Sequence, residues 1–153
     1  MPIIDLTLPS GALPRPALES LARDLSHALL HCDVARDNPR AERMNWIYIH
    51  HQDPHDLLIG GHSQAEGGLP HYRIEVQIMA GAMSEIHRQE IAALMTEAVI
   101  RAEGGHMNLL NAARVWVIFR EVPDGHWAAG GRLYRLEDVL RFVAGNTPHS
   151  AIE

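Results

Sequence analysis

The sequence predicts an α/β (α+β) fold: two tandem βαβ units forming a four-stranded sheet with two helices on one face. Three observations lead there. The first is an internal repeat. Shifted by 70 positions without a gap, residues 2–61 superpose on 72–131 with nine identities in sixty, among them Ile4/Ile74, Gly11/Gly81, Asn38/Asn108, Trp46/Trp116 and Gly60-Gly61/Gly130-Gly131. The second is that paired core positions stay apolar where they are not identical: Leu6/Val76, Leu8/Ile78, Leu21/Ile91, Leu25/Met95, Leu29/Val99 and Ile47/Val117. The third is the order of periods inside each unit, alternation first, a helical stripe next, then a second strand.

In the first unit, Ile4, Leu6 and Leu8 alternate with Asp5 and Thr7, which predicts a half-buried strand over Ile3 to Leu8. Gly11 ends it at a turn that needs positive φ. Pro14 and Pro16 suit the opening turn of a helix, and Leu18, Leu21, Ala22, Leu25, Ala28 and Leu29 form its apolar stripe. A second strand runs from Trp46 to His50, followed by a turn segment ending Gly60-Gly61 that predicts a small hairpin. The second unit repeats the plan. Arg73 to Met79 is its first strand, Ser84 caps a helix carrying Ile91, Leu94, Met95, Ala98 and Val99, and Gly104-Gly105 ends that helix. Val115 to Val122 is the closing strand, and Leu136 to Val143 adds a short C-terminal helix before a loose tail from Gly145.

Residues 1–153 are thus expected to form a single domain, with repeats at 2–61 and 72–131, a linker at 62–71 and a C-terminal extension at 132–153. A hydrophobic content of 46% against 21% charged residues supports a real core. A net charge of -6 with no basic cluster argues against a nucleic-acid partner, because phosphate binding needs a basic face. Cys32 is the only cysteine, so a disulfide within the chain is excluded and a reducing, cytoplasmic setting is expected. No apolar run approaches membrane-spanning length, and the start lacks a signal-peptide pattern. The sheet face away from the two helices, carrying Trp46, Trp116, Ile118 or their alternates, needs a cover, and self-association is the expected one.

The chain opens Met-Pro on a strand. Removal of Met1 would make the Pro2 nitrogen a secondary amine able to carry a proton, held at the edge of a core instead of on a frayed tail. Inside a chain the same atom is an inert amide, and proline also begins many strands because no ladder donor is lost there.

A Met-Pro start on a strand, a βαβ unit of this length, and the closing run Val-Trp-Val-Ile-Phe-Arg-Glu-Val-Pro with Gly131-Arg132 resemble the tautomerase superfamily, typified by 4-oxalocrotonate tautomerase, with its tautomerase/MIF-like fold. The resemblance covers residues 2–132 and is to the fused, two-unit form, similar in length to the cis-3-chloroacrylic acid dehalogenase group. It implies a homotrimer, no cofactor, and catalysis by an amino-terminal proline, here Pro2, with one site per chain because Tyr72 stands at the second unit's equivalent position. The family's clamp arginines are missing: their places hold Ala12 and Ala82 after the first strands, and Trp46 and Trp116 on the second strands. Its hairpin aromatic is Leu57 in one unit and Trp127 in the other. The dehalogenase histidine, arginines, tyrosine and glutamate align with Leu29, Met79, Ala82, Ile118 and Ala129, which removes the means of hydrolytic dehalogenation.

What remains to Pro2 is proton transfer between keto and enol isomers of small 2-oxo/2-hydroxy unsaturated acids. Apolar walls would keep the amine neutral by disfavouring its ammonium form. Trp116 and Trp127 are candidate walls, Arg114 shares strand parity with Trp116, and Arg73 and Tyr72 begin the second unit, so these five are the candidate substrate-binding residues. For Trp46 core packing is preferred. Loss of the clamp arginines suggests a monoacid or neutral substrate. Eleven histidines include His50, His51, His55 and His62, but no metal-ligating spacing, so no metal is expected. The alternatives to a tautomerase are a hydratase, dehalogenase or decarboxylase of the same superfamily, or a non-catalytic trimeric binding protein on the same fold.

Overall fold

The computed structural model describes residues 2–31 and 36–145; Cys32 and the tail beyond Gly145 lie outside the described residues. The first half contains β1 (Ile3–Pro9), α1 (Arg15–Leu30), α2 (Pro39–Met44), β2 (Trp46–Gln52), β3 (Leu58–Ile59) and β4 (His62–Ser63). The second contains β5 (Tyr72–Met79), α3 (Glu85–Ala102), α4 (Leu109–Ala112), β6 (Val115–Val122), β7 (Trp127–Ala129), β8 (Arg132–Tyr134) and finally α5 (Leu136–Val143). The sheet order is β2-β1-β5-β6. Its outer pairs are parallel and its central pair, β1 with β5, is antiparallel.

The register shows the repeat directly. Ile3 faces Trp46 across the first parallel pair, and Arg73 faces Trp116 across the second, each 70 residues on. Alternation then decides the two faces. Ile4, Leu6, Leu8, Ile74, Val76 and Ile78 point to one side, where they pack with Leu21, Leu25, Leu29, Ile91, Met95 and Val99 of α1 and α3 into one core cluster. Burying each such side chain contributes about 1.5–3 kcal/mol, so this layer holds the fold together. Gly11 and Gly81 both sit at φ +81° after their strands, as the turn requires.

The helix ends follow their sequence signals. Pro14 precedes α1 and Pro16 lies in its first turn. The Ser84 hydroxyl accepts a 3.2 Å bond from the His87 N–H at the start of α3, and Gly104 at φ +71° follows its end. Ser84→Ala should lower stability by about 1 kcal/mol, read as a shift in the denaturant midpoint at constant slope.

Two short helices, α2 and α4, are additions to the expected plan. Both begin at a repeat identity: Asn38 Oδ1 accepts from the Arg40 N–H at 3.0 Å, and Asn108 Oδ1 accepts from the Asn111 N–H at 2.9 Å. The paired asparagines are therefore caps, a signal that the sequence carried.

Trp46 departs from the core reading. Pairing with Ile3 sets it on the face opposite Ile4 and Ile47, and it is 58% exposed there. Tyr48, His50, Arg73, Trp116 and Arg120 share that face, on which Trp46, Tyr48 and Trp116 are exposed. Among the described residues no helix is long and apolar enough to cross a membrane.

Candidate functional site

Pro2 is half-buried just before β1, and its carbonyl accepts a 3.3 Å bond from the Trp46 N–H, which fixes the residue to the sheet. It lines a pocket of about 90 Å3 at the edge of the core. Leu30, Ala41 and Met44 come from the ends of α1 and α2, Met79, Ala82 and Met83 from the end of β5 and its turn, and Leu136, Val139, Leu140 and Val143 from α5. Every lining side chain is apolar. Apolar walls of this kind disfavour the charged form of a group held against them.

The helix that closes this pocket is pinned at both ends. At its start the Leu136 N–H donates to Asp124 Oδ1 at 2.8 Å and Arg135 Nη1 donates to Asp124 Oδ2 at 3.0 Å. At its end Asn38 Nδ2 donates to the Val143 carbonyl at 2.9 Å, and the Arg40 guanidinium lies 5.9 Å from the Phe142 ring centre. The backbone bond from Leu136, then Arg135, holds the Asp124 carboxyl below its ordinary value of 3.8. A carboxyl depressed on folding stabilises above its unfolded value and loses that contribution as pH falls through the folded one. The melting-temperature difference between wild type and Asp124→Asn should therefore close as pH drops below 3.8.

The second unit's counterpart of this pocket, about 380 Å3, is lined by charge. Ala12 and Leu13 replace Ala82 and Met83, Asn111 replaces Ala41, and Arg114 replaces Met44. Tyr72, in Pro2's place, is buried and donates its hydroxyl to Glu103 Oε1 at 2.9 Å. Burial, with the Glu103 charge beside it, pushes the Tyr72 hydroxyl well above its ordinary range. Arg114 Nη2 donates to Glu103 Oε2 at 2.7 Å, and Nη1 donates to Glu103 Oε1 at 3.0 Å and to the Pro70 carbonyl. The Tyr72 N–H donates to the Arg114 carbonyl at 2.8 Å. At Pro2 no such backbone donor exists within the chain.

Four of the candidate substrate-binding residues come together, but away from Pro2. Tyr72, Arg73, Arg114 and Trp116 line a cleft of about 510 Å3 beneath the β3–β4 hairpin, with Thr7 and Leu57. Arg114 does not share the outward direction of Trp116, which is 66% exposed while Arg114 is 8% exposed. It precedes the first ladder residue, Val115, and its N–H bonds the Asn111 carbonyl in the turn after α4, so strand parity does not reach it. Its guanidinium hydrogen bonds run to Glu103, Pro70 and Asn111, and Nε is buried without a partner. Arg73 is exposed, 3.5 Å from both Thr7 and Glu75. Trp127 lies on the β7–β8 hairpin opposite Tyr134 and lines neither pocket.

Neither a protein-family model nor a curated protein sequence matches the chain. Solved structures do. A native fused 4-OT aligns at a TM-score of 0.71 with 17% identity, covering 86% of this chain and 94% of that one. A fused 4-OT solved as an asymmetric trimer aligns at 0.67 with 17% identity and the same coverage, 86% and 94%. A member of the cis-3-chloroacrylic acid dehalogenase (cis-CaaD) family aligns at 0.70 with 18% identity, covering 97% and 94%. The fold is that of the tautomerase superfamily in its fused, two-unit form.

On the tautomerase fold, the sequence pointed to Pro2 and to the outward face of β6. It did not point to α5. The amphipathic run Leu136, Val139, Leu140, Val143 was legible as a helix, but nothing in its spacing says that it folds back against α2 and the end of α1. Among the described residues no group of three or more His, Cys, Asp or Glu side chains is placed to hold a metal ion.

Proposed function

We propose that this protein is a cofactor-independent tautomerase that interconverts keto and enol forms of small 2-oxo/2-hydroxy unsaturated acids, with Pro2, freed by removal of Met1, as general acid and base. The observation that carries the reading is Pro2 itself, half-buried before the first strand and facing a wholly apolar pocket in a tautomerase fold. The neutral amine takes the proton from the enol hydroxyl, and the ammonium so formed delivers it to the terminal carbon of the conjugated system, which leaves the 2-oxo acid and restores the neutral amine. No side chain at the pocket can activate water, which disfavours the hydratase and dehalogenase alternatives. The open sheet face with Trp46, Tyr48 and Trp116, together with the trimeric state of a fused 4-OT, supports a homotrimer.

The repeat adds support for Trp127. Leu57 lines the cleft beside Tyr72 and Arg73, and Trp127, Pro2 and Ile3 are their counterparts 70 residues apart. Trp127 is therefore proposed as an aromatic contact for a conjugated substrate outside the apolar pocket, which it does not line. The non-catalytic trimer is the second reading, favoured by the lack of any arginine lining the Pro2 pocket.

Intact mass together with ketonisation of short enol acids separates the two. All thirteen Lys and Arg positions are arginine, so the terminal nitrogen is the chain's sole amine and amine-directed labelling reports it alone. A tautomerase loses Met1 and ketonises the enol far faster than buffer. A chain that keeps Met1, or that leaves the enol at the buffer rate, is a binding protein.

A further inference from the structure

Resting on the reading of Pro2 as the reacting amine, we infer that α5 limits what that amine can reach, so that the site takes enols whose buried end is short, uncharged and aliphatic. Three observations converge on it. The pocket holds about 90 Å3. That is well below the ~150 Å3 of an apolar cavity that admits benzene. An aromatic ring therefore does not fit wholly inside the pocket while α5 is in place.

The walls carry the second argument. Leu136, Val139, Leu140 and Val143 supply one side of the pocket, and no charged or polar side chain lines any part of it. A carboxylate drawn inside would be desolvated with no partner, so the acid group of a substrate stays at the mouth and the carbon end goes in. The third observation is the anchoring. Asp124 grips the start of α5, while Asn38 and Arg40 grip its end, so the wall is fixed at both ends. The second unit has no equivalent of α5, which lies beyond the repeat, and its matching pocket is wider, about 380 Å3, and lined by Glu103 and Arg114. Size selection is therefore a property of the Pro2 pocket alone.

Leu140 and Val139 are the positions to test. Leu140 is half exposed and Val139 is 9% exposed, so Leu140→Ala opens the pocket with little effect on folding, and Leu140→Trp narrows it. Two readouts are compared in wild type and both Leu140 variants. One is kcat/KM for enolpyruvate against phenylenolpyruvate. The other is reductive alkylation of the sole amine by acetaldehyde against phenylacetaldehyde, followed by intact mass, with the rates in denaturant as the unhindered reference.

Wild type should favour the small member of each pair by about tenfold or more beyond that reference. Leu140→Ala should erase the preference by admitting the larger member, and Leu140→Trp should slow both. Equal treatment of large and small by folded wild type overturns the inference, even where the enols are turned over rapidly. If no enol is turned over yet alkylation is size-selective and relieved by Leu140→Ala, the wall stands and the tautomerase reading falls.

Discussion

Pro2→Ala should reduce ketonisation of a short enol acid by about 100-fold or more, within the range expected when a positioned acid–base group is lost. The fold should survive. Pro2 precedes the ladder and no buried polar group depends on it beyond its own carbonyl, which alanine retains for the Trp46 N–H. Loss of rate without loss of melting temperature would locate the effect in the nitrogen and not in the scaffold. The replacement leaves a terminal primary amine, so the residual activity should follow the protonation of that amine in a pH profile. A variant that keeps its full rate would move the chemistry away from Pro2. A variant that loses rate and stability together would show that proline is structural.

The second large effect is at Arg114. Replacing it with methionine should cost about 3–5 kcal/mol, because the Glu103 carboxylate and the Tyr72 hydroxyl would stay buried without their cation. Arg114 has 9% of its side chain exposed and Glu103 13%, so solvent screening does little to soften the loss. Methionine is the informative choice, since Met44 occupies the matching position in the first unit. Adding Glu103→Leu to Arg114→Met should restore most of the stability by removing both charges at once. Kinetics discriminate between roles. A structural Arg114 leaves KM for the enol unchanged in the stabilised double variant, whereas an arginine that binds substrate carboxylate raises it.

The contrast between these two residues shows how much of the molecule could be read beforehand. Strands, long helices and their turns were legible because each repeat unit states its pattern twice, so Ile4 and Ile74 or Gly11 and Gly81 support one another. Pro2 could be placed because the alternation that follows it fixes it to the sheet, where its carbonyl meets the Trp46 N–H. Arg114 was misdirected by parity, a rule that holds only inside the ladder, and Val115 is where the ladder begins. Its partner Glu103 sits 11 residues earlier, beyond the end of α3, and no sequence pattern brings the two together. The α5 wall of the Pro2 pocket was hidden for a related reason. An amphipathic helix announces that one face is buried, and leaves open against what. The α2 and α4 helices were missed for want of length, although their asparagine caps stood aligned.

The account depends on a neutral amine at Pro2, and titration of that nitrogen measures it directly. With 15N-proline incorporated, the terminal nitrogen is followed by NMR across pH in the assembled protein. A secondary-amine resonance is expected whose midpoint lies below the ordinary α-amino range of about 7.7–8.0, so that the base is free near neutrality. An amide resonance that does not titrate, or a midpoint above that range, would contradict it.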